Sequence, residues 1–270
     1  MKIEIIAEIG WNFMGDIELA HKMISSAAKS GASTCKFQYW NPDNLKPGEW
    51  DTDGRREIYN KAKLDDEKIH LLKSICSENN VGFLLSVFSK NDASKMYDMG
   101  LSSIKIPSHE SYNIDMHKFC MTNFKKVYTS LGACSEKELT NLITLYKDFP
   151  SESYLNAMHC VSAYPCKNEN LNLPRMIYLK KYFNNVGLSD HTGSVFSGAV
   201  AVGCGATVIE KHFTVDNNLP GRDNKFALDP IKFKIFCEGI REAEQMNEFK
   251  GLDNLDVESD IIENYRGRWG

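Results

Sequence analysis

The stretch Val186–Thr214, VGLSDHTGSVFSGAVAVGCGATVIEKHFT, decides how the rest of the chain is read. A short apolar run ends in the polar cluster Ser189-Asp190-His191. A segment rich in Ala, Gly and Val follows, with the character of a helix, and a second apolar run ends in Glu210-Lys211-His212. If the two runs are parallel neighbouring strands, their terminal histidines converge, as in a barrel enzyme that holds a metal on two imidazoles. Strand alternation puts Ser189 and His191 on one face with Asp190 opposite, and Glu210 and His212 on a shared face. Asp190 and Glu210 are the adjacent carboxylates and are expected to orient the imidazoles.

Outward from this stretch the chain alternates strand and helix. Strands are predicted over 3–8, 34–39, 81–87, 103–106, 126–130 and 154–159. Amphipathic helices are predicted over 16–30, 91–99, 116–123, 173–182 and 231–249, with others capped by Asp65 and Ser135. Ser135 and Glu138 have the spacing of a capping box. Residues 41–63 are polar and read as a long loop, a length that usually serves function. Eight apolar strands, each followed by a helix, imply a parallel sheet covered on its outside, and the eightfold repeat favours a closed (β/α)8 TIM barrel. The barrel is expected to occupy residues 1–250, with 251–270 a polar tail or linker.

Composition sets bounds. The 270 residues suit one large barrel, and 42% hydrophobic with 25% charged residues is ordinary for a globular protein. A net charge of -4 with no basic stripe argues against nucleic acid as a partner. No signal peptide or membrane-spanning run is visible, and the eight cysteines, none in a CxxC pair, read as buried reduced thiols. A cytoplasmic location is expected.

Chemistry in a barrel gathers at the carboxyl ends of the strands. Those ends carry Glu8 and Asn12; Lys36 and Gln38; Ser86 and Ser89; Lys105, Ser108 and Glu110; Ser130; His159, Ser162 and Tyr164; Ser189, Asp190 and His191; Glu210 and His212. Lys36 lies within CKF and Lys105 within IKI, so each ammonium points into the barrel, where an unpaired charge is costly. An anionic ligand would remove that cost, with the serine hydroxyls completing a phosphate site. The competing chemistry is a Schiff base on Lys36 or Lys105. His159, after an apolar run, is expected in the core or behind the site.

Nine stretches make the chain resemble the sialic acid synthase family: AEIGWNFMGD (7–16), KFQ (36–38), FLLSVFS (83–89), KIPSHES (105–111), TSLGA (129–133), HCVSAYP (159–165), GLSDHTG (187–193), IEKHFT (209–214) and PGRDNKFALDP (220–230). The resemblance implies condensation of phosphoenolpyruvate with an N-acylated hexose, N-acetylmannosamine or a relative, to a nine-carbon 2-keto sugar acid. By position it implies a phosphoenolpyruvate subsite of Lys36, Ser86, Lys105, Ser108, Ser130, Ser162 and Ser189. It further implies His191 and His212 as ligands of a divalent metal, Mn²⁺ as a rule, and Gln38, Tyr164 and Asp223 as sugar contacts. Glu8 and Glu110 are the implied catalytic carboxylates, and a homodimer is the implied assembly.

The chain departs from that pattern in places. Phe13 follows Asn12 where the family has His, His109 replaces a Gly beside Glu110, and Arg222 replaces Pro or Thr. Both Phe13 and His109 are expected to disturb the acceptor end of the pocket. The family's small antifreeze-like domain is expected to be absent or supplied by another chain; Arg266 and Arg268 of the tail are candidates to compensate, and a solvated tail is the plainer reading. Two alternatives stand beside the synthase: a Schiff-base pyruvate aldolase or lyase, and a catalytically degenerate sugar-binding barrel.

Overall fold

The computed structural model describes residues 2–147, 149 and 155–269. Its elements run β1 (Glu4–Gly10), α1 (Ile17–Lys29), β2 (Thr34–Tyr39), α2 (Arg55–Ala62), α3 (Asp66–Glu78), β3 (Gly82–Val87), α4 (Lys90–Asp98), β4 (Ser103–Ile106) and α5 (Ile114–Asn123). They continue with β5 (Lys126–Ser130), α6 (Glu136–Lys147), β6 (Leu155–Cys160), α7 (Pro174–Leu179), β7 (Asn185–Asp190), α8 (Ser197–Gly203), β8 (Val208–His212), α9 (Pro230–Met246) and α10 (Ser259–Asn264). The strands pair in sequence order and β8 returns to β1, all parallel, so the sheet closes. This is the (β/α)8 barrel that the repeat predicts.

Alternation along each strand sorts the side chains into two shells. Ile5, Ala7, Cys35, Phe37, Leu85, Ile104, Leu188 and Ile209 point outward and pack on the helices. Ile6, Leu84, Tyr128, Met158 and Val208 form a separate apolar plug inside the barrel. One pleat above that plug, towards the carboxyl ends, the inward positions become polar. The carboxyl-terminal mouth is therefore the part of the barrel interior that is not closed by hydrocarbon.

Local signals place the helices. Asp16, Asp65, Ser89 and Asp229 accept the backbone N–H that caps α1, α3, α4 and α9. Ser135 and Glu138 form the reciprocal capping box at α6. Ser89, a strand-end candidate in the sequence, thus serves as a cap. The 41–63 segment is not a plain loop: it holds two 3-10 turns and α2. Gly15, at φ +79°, sits so close to the Lys61 carbonyl that a Cβ would overlap it, which seats α2 over the mouth. The predicted start of β6 at Tyr154 lies outside the described residues. Helix 173–182 is shorter than its pattern, ending at Leu179.

After α9 the chain carries a 3-10 turn and α10, and almost all of 247–269 is exposed. Arg266 and Arg268 belong to this exposed segment. All eight cysteines are free thiols, six of them buried. No described helix is long and apolar enough to cross a membrane.

A buried relay braces the loop after β4. His117 Nε2 donates to the Ser111 carbonyl (3.0 Å), so Nδ1 accepts from the Tyr146 hydroxyl (2.5 Å), which lies 3.3 Å from Thr129 Oγ1. Burial lowers the His117 pKa to about 4, against about 6.5 in an unfolded chain. Between those values the unfolded state takes up a proton that the folded state refuses. Stability is therefore full above pH 6.5 and falls as pH drops towards 4, by roughly 3 kcal/mol from this residue. His117→Gln should flatten the melting-temperature profile between pH 6.5 and 4; an unchanged slope would remove His117 from the account.

Candidate active site

A cavity of about 520 Å³ opens at the carboxyl-terminal mouth. Every strand except β6 contributes a wall residue, and the loop after β6 adds Tyr164. The floor is a four-membered charge lattice. Lys36 Nζ lies 2.7 Å from Glu8 Oε2 and 3.6 Å from Glu210 Oε1, while Lys105 Nζ lies 2.7 Å from Glu210 Oε2. All four side chains are almost fully buried.

The lattice corrects one expectation. The inward lysines are not unpaired charges awaiting an anion, because two inward carboxylates on β1 and β8 already balance them. Burial opposes the charge of Lys36, yet Glu210 and Glu8 overcome it and hold its pKa above the ordinary value. Burial dominates at Lys105 and at Glu8, drawing the first pKa down and the second up. At Glu210 burial is outweighed by Lys105 and Lys36, which hold its carboxyl below the usual range.

Serine hydroxyls surround the ammoniums. Lys36 donates to Ser86 Oγ (2.9 Å) and Lys105 to Ser189 Oγ (3.2 Å). Ser130 Oγ is buried on the cavity wall with no partner among the described residues, a donor without an acceptor. Ser108 also lines the cavity. Ser162 is not among the wall residues and donates to Ser108 Oγ (2.8 Å). Ser162, expected in the phosphoenolpyruvate subsite, thus reaches the cavity through Ser108. Gly132 permits this packing, since a Cβ there would collide with Ser162 Oγ and Cys160 Sγ.

The two histidines meet as alternation requires. His191 and His212 have ring centroids 5.4 Å apart, both buried against the cavity. Burial lowers the His191 pKa to about 4 and takes His212 well below its ordinary value, so both rings are neutral at pH 7. His191 Nδ1 donates to the Val161 carbonyl (3.0 Å), which leaves the lone pair on Nε2. His212 Nδ1 is buried without a hydrogen-bond partner, 3.9 Å from Asp223 Oδ2. Two neutral imidazoles, one with an orphaned nitrogen, fit a divalent cation whose nitrogen ligands bind at about 2.1 Å. Among the described residues no cluster of three or more His, Cys, Asp or Glu side chains is placed to hold a metal ion, so the cation would rest on these two imidazoles.

Neither expected carboxylate orients these rings. Asp190 faces outward to Lys211, and Glu210 is taken up by Lys36 and Lys105. The Val161 carbonyl does the work at His191, and Tyr164 packs against that ring, tilted by 33° at 4.1 Å between centroids. His159 is fully buried, with Nε2 2.7 Å from the Leu171 carbonyl, and belongs to the core.

The outer part of the cavity is aromatic. Trp11 stacks on Trp40 (4.2 Å), Tyr59 of α2 meets Trp11 edge-on (3.8 Å), and Phe88 links Trp40 to His109. Gln38 Nε2 donates to Glu8 Oε1 (2.6 Å), Asp223 lies opposite beside Arg222, and Glu110 sits half-buried at the rim. Partial burial raises the Glu110 pKa. His109 does enter the cavity wall, as its replacement of Gly suggests. Phe13 does not: it is fully buried against Phe37 in the outer core, so it leaves the pocket untouched.

A closed parallel barrel with buried ionisable groups at the carboxyl-terminal mouth defines a barrel enzyme. Residues 23–250 match the model of the NeuB family. The chain belongs to this family, the sialic acid synthases, which form carbon–carbon bonds. It is 33% identical over 268 residues to the N,N'-diacetyllegionaminic acid synthase of Legionella pneumophila, covering 93% of this chain and 75% of that one. It is 32% identical over 275 residues to a pseudaminic acid synthase of Campylobacter jejuni, covering 97% and 79%. The crystal structure of N-acetylneuraminic acid synthetase from Leptospira borgpetersenii in complex with citrate superposes with a TM-score of 0.85 at 28% identity, covering 97% and 91%.

Proposed function

We propose that this barrel condenses phosphoenolpyruvate with an open-chain N-acylated hexose, releasing phosphate and a nine-carbon 2-keto sugar acid. The observation that carries the proposal is a single cavity in which a Lys-Ser cradle adjoins two neutral histidines. Lys36 and Lys105 hold the phosphate of phosphoenolpyruvate by charge, and Ser86, Ser108, Ser130 and Ser189 supply short donors. A divalent cation on His191 and His212, Mn²⁺ by family resemblance, would supply Lewis-acid polarisation of the sugar aldehyde that carbon 3 attacks. Glu8, buried and with a raised pKa, accepts the proton of the water that adds to carbon 2. Lys36 and Lys105 then stabilise the phosphate that leaves by C–O cleavage. Glu110 also lines the cavity and is the second carboxylate proposed to act on the substrates.

The aromatic wall of Trp11, Trp40, Tyr59 and Phe88 suits the C–H faces and acyl methyls of an amino sugar. N-acetylmannosamine and the diacetamido hexoses that lead to legionaminic or pseudaminic acid are the acceptors to test. Gln38, Tyr164 and Asp223 supply the polar contacts. A homodimer in the cytoplasm is part of the proposal, checked by sedimentation and by fractionation.

The test is a mass-spectrometric product screen with phosphoenolpyruvate, Mn²⁺ and a panel of N-acyl hexoses. One acceptor should give product and stoichiometric phosphate. Chelation with EDTA should abolish release and added Mn²⁺ restore it; full activity in metal-free protein would remove the cation from the proposal. The lowered pKa of Lys105 favours a second reading, an imine-forming lyase. Borohydride trapping of a pyruvate adduct would support that reading, but the 2.7 Å ion pair with Glu210 favours the ammonium form and opposes it.

A further inference from the structure

On the outer face of the barrel wall, directly behind the two histidines, lies a buried ion pair that the proposed chemistry does not use. Lys211 Nζ is 2.5 Å from Asp190 Oδ2, and the side chains are 1% and 0% exposed. The two residues are register partners on β7 and β8, each one position before a cavity histidine. Alternation turns them outward while His191 and His212 turn in.

The pair is tied further. Lys211 Nζ donates to Thr192 Oγ1 (3.0 Å) and lies 5.4 Å from the Phe236 ring centroid on α9. Asp190 Oδ1 accepts from the Thr192 backbone N–H (2.8 Å), and Oδ2 accepts from the Ser197 hydroxyl of α8. His191 is thus held from both sides: residue 190 is bolted to β8, and residue 192 is turned back onto residue 190. Burying an ion pair rarely adds stability over an apolar pair of equal volume. The neighbouring outward positions, Leu188 and Ile209, are apolar. Stability alone does not account for charge here, whereas fixing register and geometry does.

We infer that the Asp190–Lys211 pair, with Thr192, sets the separation of the His191 and His212 imidazoles and thereby the affinity of the site for a divalent cation. They are positioning residues. The inference rests on the cation reading of the proposed function.

The experiment measures Mn²⁺ binding by electron paramagnetic resonance, without turnover, in wild type, Asp190→Asn/Lys211→Met and Thr192→Val. The double variant should keep its melting temperature near that of wild type, because neither charge is left alone. Its Mn²⁺ Kd should rise about 10–100-fold, with the Kd for phosphoenolpyruvate in metal-free protein unchanged. Thr192→Val, the milder change, should weaken Mn²⁺ binding in the same direction and remains informative if the double variant does not fold. Wild-type Mn²⁺ affinity in the variants, at whatever stability, would overturn the inference. If wild type itself binds no Mn²⁺, the cation reading fails instead. Crystal structures of the variants would then decide the positioning claim: an unchanged imidazole separation overturns it.

Discussion

Glu8→Gln should lower the rate of phosphate release by about 10²–10⁴-fold while the protein stays folded. Glu8 is held by Lys36 Nζ at 2.7 Å and Gln38 Nε2 at 2.6 Å, and its register partner on β8 is His212. Burial raises its pKa, towards the range in which a carboxylate can accept a proton and return it. Glutamine keeps the shape and can still bond Gln38, but it cannot take a proton from water. Lys36 retains Glu210 at 3.6 Å, so the phosphate cradle survives. The loss should therefore appear in kcat and not in the KM for phosphoenolpyruvate. Steady-state phosphate release at saturating substrates reads both; a kcat within about threefold of wild type would reduce Glu8 to a counter-ion.

Lys105→Met should act on two properties at once. It strips Glu210 of its closest partner, 2.7 Å away, in a site where both side chains are buried. Glu210 keeps Lys36 at 3.6 Å, so the loss should stay below the roughly 3–5 kcal/mol of a fully orphaned buried charge, and thermal denaturation should register it as a fall in melting temperature. It also removes one of two phosphate-holding charges, lowering kcat/KM for phosphoenolpyruvate by about 10²–10³-fold. The double change Lys105→Met/Glu210→Gln separates these effects. With no carboxylate left unpaired at that corner, stability should largely recover while kcat/KM should not. Recovery of both would mean that Lys105 serves only to neutralise Glu210.

The barrel was legible because its outward shell is a nearly pure hydrophobic alternation, and β2, β4 and β5 fall on the predicted residues. Inward Lys36 and Lys105 stand out against apolar neighbours on the same strands. Their counter-ions did not: Glu8 reaches Lys36 through the β1–β2 register, and Glu210 reaches both lysines only because the barrel closes. Helix α2 was missed because RREIYNKA is mostly polar; it is seated by Tyr59 against Trp11 and by Ala62, contacts invisible along the chain. Phe13 misled for a related reason. A bulky residue beside a motif looks like an obstruction until the backbone turns it into the core. The outward fates of Asp190 and Lys211 followed from alternation, but their bond to each other needed the β7–β8 register.

The floor of the cavity carries two ammoniums and two carboxylates, so its resting charges cancel. Such a floor is an ion exchanger rather than a positive well. An arriving phosphate does not find bare cations; it competes with Glu8 and Glu210 for lysines already occupied, and the displaced carboxylates must be protonated or re-solvated. Glu8, whose pKa burial has raised, is the carboxylate better prepared to give way. Glu8 then serves as the proposed base only where it gives way by re-solvation, because a protonated carboxylate cannot take a proton from water.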